Sequence, residues 1–106
     1  MTDLNRLREI IDELDDQRYD AKTEEERQLA EVSCAAMRAA ERTELVRIQA
    51  GVIDSVKGMT TDLKEYSKEI RERVTRMNRP SKVIDIAGEV IEIIASVIEG
   101  IAVWSK

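Results

Sequence analysis

Asp15, Asp16, Asp20, Glu24, Glu25 and Glu26 crowd one short stretch near the N-terminus. Carboxylates at that density are raw material for acid–base and metal chemistry, but each such chemistry needs a companion. The chain has no His, so the Glu-x-x-His pairs that build a di-iron centre between facing helices cannot form. A single Cys leaves a Cys/His zinc site short of ligands and rules out a disulfide within the chain. That residue, Cys34, lies among Val32, Ala35 and Ala36, the neighbourhood of a small packed side chain rather than of a nucleophile. No glycine-rich phosphate loop and no nucleophile elbow occurs. The sequence therefore predicts no catalytic residue, no metal, no cofactor and no small-molecule substrate.

Two further charge groups are arranged in space rather than poised for reaction. Residues 1–26 hold ten acids and four bases, whereas residues 64–82 hold three acids and seven bases: Lys64, Lys68, Arg71, Arg73, Arg76, Arg79 and Lys82. The attraction between the two segments is able to orient the first helix against the third, within a protomer or between protomers. The alternative is a plainly solvated basic face, because exposed ion pairs contribute only about 0–1 kcal/mol each. The second group is a ribbon of acids near the C-terminus, Asp85, Glu89, Glu92 and Glu99. A formal net charge of −5 disfavours nucleic acid as a partner.

One local pattern has a family likeness. Leu7-Arg8-Glu9-Ile10-Ile11-Asp12-Glu13-Leu14-Asp15 resembles the first-helix L-R-x-x-I-D-x-x-D pattern of the all-α chorismate mutases, and Glu26-Arg27 before Leu29-Ala30 is similar to a later E-R segment of that family. The resemblance implies an enzyme in which cations grip the two carboxylates of chorismate, with Arg8, Arg27 and Arg38 in that role. It spans about a tenth of the chain. Asp16-Gln17-Arg18-Tyr19-Asp20 stands where the family has a leucine-rich stretch, and no Asp-x-x-Arg-Glu motif follows.

The elements that position these groups are helices. Charged residues make up 37% and hydrophobic residues 42% of the 106, with four Gly, one Pro and no Phe, the balance of a helical bundle or coiled coil. At this length one domain is the default. Thr2 suits the cap of a first helix over 3–19, with Leu4, Leu7, Ile11 and Leu14 on one face. Thr23, followed three residues later by Glu26, forms a capping box that starts a second helix. That helix is predicted over 24–57, with only a weak interruption at Gly51. Gly58 closes it, and Thr61 with Asp62 opens a third helix over 61–78. Because Val56, Met59, Leu63, Tyr66 and Ile70 keep one apolar register across Gly58, a single rod from Thr23 to Asn78 is the alternative. Pro80 disfavours helical geometry at Arg79 and suits the start of a fourth helix over 82–104.

The last helix is the most informative. Val83, Val90, Val97 and Trp104 recur at seven-residue spacing, and Ile84, Ile91 and Ile98 form the neighbouring stripe. Gly88, Ala95 and Ala102 line up as small residues beside the acidic ribbon. The density of Val and Ile also suits strands, but acids spaced by four, three and seven fit a helix. More of its circumference is apolar than a surface helix needs. It is therefore the centre of a bundle, an oligomer interface or a lipid-facing helix, and its acids make it a poor membrane span.

The resulting expectation is an all-α, elongated, antiparallel coiled-coil-like bundle of about four helices, forming one helical domain over 1–106 and associating into oligomers. Residues 1–79 supply charged amphipathic helices, and residues 80–106 supply a hydrophobic helix used for core or assembly. The expected function is non-catalytic interaction, as a self-associating scaffold or adaptor. Its assembly interface is Val83, Ile84, Val90, Ile91, Ile94, Val97, Ile98, Ile101 and Trp104, and its partners are its own copies and a further protein. The alternative is a membrane-active protein whose last helix meets lipid, with the basic residues drawn to anionic headgroups. The mutase-like enzyme is the second alternative. With no apolar signal segment at the N-terminus, a cytoplasmic location is expected, at the membrane surface under the lipid alternative.

Overall fold

A computed structural model of the chain describes residues 4–49, 53–77 and 81–104. They form four helices: α1 (Leu4–Asp20), α2 (Glu24–Gln49), α3 (Ile53–Arg76) and α4 (Lys82–Trp104). No strand occurs among the described residues. On α1 the apolar residues Leu7, Ile10, Ile11 and Leu14 are buried together, as three-and-four spacing requires. The cap expected at Thr2 lies outside the described residues.

Side-chain caps set two of the helix starts. The Glu26 amide donates to Thr23 Oγ1 at 3.2 Å, and the Lys22 amide donates to Glu26 Oε2 at 3.2 Å. Two amides that would otherwise lack partners are thereby satisfied, in a variant of the capping box in which the carboxylate reaches one residue further back. At α4 the Ile84 amide donates to Ser81 Oγ at 3.3 Å, so Ser81 is the N-cap.

The boundary between the second and third helices differs from the prediction. α2 ends at Gln49 rather than at residue 57, α3 begins at Ile53 rather than at residue 61, and α3 runs through Gly58. The single rod is likewise corrected, since α2 and α3 pack against each other. Gly58 is exposed, with open space where a Cβ would stand. Glycine at such a site weakens a helix by only about 1 kcal/mol relative to alanine, which the apolar contacts of Leu63 and Ile70 on the same helix outweigh.

Connections of three to five residues between successive helices make each pair antiparallel. Side-chain contacts agree: Arg8 Nε donates to Glu41 Oε2 at 2.9 Å between α1 and α2, and Arg73 Nη1 donates to Gln28 Oε1 at 3.1 Å between α3 and α2. Arg6 Nη2 lies 2.7 Å from Glu89 Oε1, tying α1 to α4. Both α2 and α4 touch all three other helices, whereas α1 and α3 do not touch among the described residues. Within the chain, the expected docking of the acidic first helix on the basic third is therefore replaced by packing of α1 between α2 and α4. Burial of its Leu and Ile face decides the position, and its surface ion pairs follow.

The bundle measures 43 × 23 × 17 Å, and the 26 residues of α2, at about 1.5 Å each, nearly span its length. Its core joins Leu7, Ile10 and Leu14 to Leu29, Met37, Leu63, Ile70, Val90, Ile94 and Val97. Ala30, Ala36, Ala39 and Ala40 are buried on α2, and these small side chains let the other three helices approach it closely.

Candidate functional site: the groove between α3 and α4

Most of α4 is used inside its own chain. Val83, Ile86, Ala87, Val90, Ile94, Val97 and Ile101 are buried in the core. Five of the residues expected to form an assembly interface, Val83, Val90, Ile94, Val97 and Ile101, are thus already covered by α1, α2 and α3. Ile84, Ile91 and Ile98 are only half-buried, and Gly88 and Ala95 between them are exposed. Steps of four and three keep these five residues on one stripe. The side chain of Trp104, and Arg79 of the basic segment, lie outside the described residues.

Helical geometry explains why one apolar stripe is buried and its neighbour is not. Asp85, Glu92 and Glu99 each follow a residue of the Val83–Val90–Val97 stripe by two positions, about 200° around the axis, so solvated acids and buried valines lie back to back. Relative to the Ile84–Ile91–Ile98 stripe the same acids are one position on, about 100° away. That stripe therefore sits at the edge of the core. Its relation to the acids is readable in the sequence; Ile86 and Ala87 as core residues went unread there.

Beside this stripe α3 and α4 enclose a groove of about 590 Å³. Lys64, Lys68 and Arg71 of α3 form one wall, Ile94, Ala95 and Ile98 of α4 form the floor, and Ser67, Glu72 and Glu99 complete the lining. The basic segment thus divides in two. Lys64, Lys68 and Arg71 are exposed along the groove, and no ion-pair partner holds them among the described residues. Arg73 turns the other way, toward Gln28 of α2 and Glu69. Arg76 lies beside it with Glu25, while Lys82 is at the far end near Asp20 and Glu26. The acidic ribbon divides as well: Glu89 is held by Arg6, whereas Asp85, Glu92 and Glu99 are exposed.

The arginines singled out by the mutase resemblance do not converge. Arg8 pairs with Glu41, Arg27 with Glu24 and Glu31, and Arg38 with Asp15 at 3.7 Å. Each is largely matched by carboxylates of its own chain, and none lines the α3–α4 groove. Among the described residues no group of three or more Asp, Glu or Cys side chains is arranged to hold a metal ion.

Cys34 is buried, 5% exposed, and its Sγ donates to Asp15 Oδ1 at 3.6 Å. Burial pushes the thiol above its ordinary pKa; a hydrogen bond from Arg38 opposes the shift, and the negative charge of Asp15 adds to it. A raised folded pKa favours the neutral thiol. Its contribution to stability is thus present below the unfolded value near ~8.5 and is lost as pH rises through the folded one. Alkylation by iodoacetamide at pH 8 is expected to be at least about tenfold slower in the native protein than in denaturant, since the thiolate is the reactive form. Equal rates in the two conditions would show that the site is open.

Comparison with protein families, curated proteins and solved structures finds no match to the chain.

Proposed function

We propose that this chain is a non-catalytic helical interaction protein that associates with its own copies through the outer face of α4 and the adjoining groove. The observation that carries this reading is the stripe Ile84, Gly88, Ile91, Ala95 and Ile98, which the four-helix bundle leaves partly open although the rest of α4 is buried. Apolar surface that is contiguous and rimmed by charge gains free energy when a partner covers it. The separate neutralisation of Arg8, Arg27 and Arg38, and the burial of Cys34, support a role without catalysis.

Light scattering coupled to size exclusion tests the reading. The wild type at tens of micromolar is expected to run above its 12.1 kDa chain mass and to shift with concentration. Ala95→Glu, which adds charge at an exposed position of the stripe, is expected to return it to a monomer with unchanged helical content. A wild type that remains monomeric at every concentration defeats the proposal.

The cations beside Ile98 favour one further reading, docking on an anionic lipid surface. Asp85, Glu92 and Glu99 on the opposite side of the stripe oppose it. No helix among the described residues is long and apolar enough to cross a membrane. Flotation with anionic vesicles, absent for the wild type under the self-association reading and salt-sensitive under the lipid one, separates the two.

A further inference from the structure

Granting self-association through the outer face of α4, we propose that the partner is a second copy related by a two-fold axis parallel to α4. The two α4 helices then lie side by side in the same direction, and Lys64 and Arg71 of each copy face the partner's Glu99 and the partner's Glu92.

The arrangement follows from which charges flank the stripe and at what height. Lys64, Lys68 and Arg71 stand on one side of the stripe, on α3, together with Glu72; Asp85, Glu92 and Glu99 stand on the other, one position past the isoleucines of α4, with Glu99 also reaching the groove. Of the residues lining the groove, Lys64 is the first on α3 and Glu99 the last on α4, so in an antiparallel pair both mark the same end of it. α3 and α4 are antiparallel, so seven residues from Lys64 to Arg71 and seven residues back from Glu99 to Glu92 cover the same two turns, about 10.5 Å. Arg71 and Glu92 consequently share a second level. Lys64, Arg71, Glu92 and Glu99 are in no ion pair among the described residues, so all four are available to a partner.

A two-fold axis laid along the stripe carries each flank to the opposite side without changing its level. Lys64 and Arg71 of each copy then meet an acid of the other, giving four ion pairs around a shared apolar centre, with Lys68 between them. A two-fold axis across the stripe, which makes the helices antiparallel, leaves each flank on its own side and sets cations against cations and acids against acids. The charge pattern thus favours the parallel pair over the antiparallel one. Ile84, Ile91 and Ile98 of the two copies supply the apolar contact. Gly88 and Ala95, having little or no side chain, let the helix backbones approach, and nothing in the chain itself occupies the space a Cβ at Gly88 would take.

Two independent experiments on the full chain test this. Gly88→Cys and Ala95→Cys, each made with Cys34→Ser and oxidised with oxidised glutathione, are both expected to cross-link to an identical chain, because a parallel axis brings like positions together. An antiparallel pair allows at most one of them to do so, with Gly88→Cys joining Ala95→Cys only when the two are mixed; that result overturns the proposal. The second experiment uses charge. Lys64→Glu with Arg71→Glu is expected to weaken self-association on the order of tenfold. Adding Glu92→Lys and Glu99→Lys to the same chain is expected to restore it, and the fourfold variant is expected not to pair with wild type. Co-assembly of that variant with wild type indicates the antiparallel pair and overturns the proposal. If the wild type associates but neither cross-links nor responds to charge in this way, the orientation fails and self-association stands. A strictly monomeric wild type removes both.

Discussion

Val90→Asp is expected to abolish the fold. Val90 is fully buried in the centre of α4, a helix in contact with all three others. An aspartate there either keeps its charge without a partner or takes up a proton to become neutral, and each course costs several kcal/mol. The loss of about 1.5–3 kcal/mol from valine burial adds to this. Together these compare with the whole stability of a small domain, about 5–15 kcal/mol. Circular dichroism is expected to show lost helix and no cooperative melting. The next two residues provide an internal scale. Ile91→Asp, on the half-buried stripe, is expected to spare more of the fold while breaking association, and Glu92→Gln, exposed to solvent, is expected to change the stability of the single bundle by less than about 0.5 kcal/mol, its effect being confined to association. Three consecutive positions with equal effects would mean that the faces of α4 are wrongly assigned.

Arg47→Met carries the second large expected effect. Glu44 is 1% exposed, among the most enclosed charged residues of the chain, and Arg47 grips it with two bonds: Nε to Oε1 at 3.2 Å and Nη2 to Oε2 at 2.9 Å. The hydrogen bond to Glu44 raises the Arg47 pKa above its ordinary value. Removing the guanidinium leaves a carboxylate in a site with little water, at a cost of about 3–5 kcal/mol. Replacing both residues, Glu44→Leu with Arg47→Met, removes the orphaned charge along with its partner and is expected to recover most of that loss. Urea unfolding of the single and double variants measures the difference. A single variant that costs under about 1 kcal/mol would show that the carboxylate is reached by solvent.

The helix ends that were legible in the sequence are those with side-chain chemistry. Thr23 with Glu26 marked the start of α2, and α4 occupies the range its periodicity assigned after Pro80. The turn between α2 and α3 was misplaced because two glycines lie seven residues apart, and local propensity does not rank them. Length does. A break at Gly58 pairs a 34-residue helix with an 18-residue one and leaves apolar residues overhanging, whereas a break between Gln49 and Ile53 gives helices of 26 and 24 residues that cover each other. The acidic first segment misled for a related reason, since surface charge is weaker than burial of Leu7, Ile10 and Leu14. The candidate groove was half legible. Its cations and its isoleucines were identified separately, but only the antiparallel packing of α3 on α4 sets Lys64 beside Ile98. Burial of Glu44 had no signature in the periodicity at all.

An even number of antiparallel helices gives the bundle two unlike poles. One holds the connection between α2 and α3 together with the start of α1 and the end of α4; the other holds the Thr23 and Ser81 caps. An antiparallel pair of such bundles would cancel that difference, presenting the same mixture at both extremities. A parallel pair, as proposed, would keep it and so would have a head and a tail. Such a pair would be open to orientation by whatever it meets, as an arrow is and a plain rod is not.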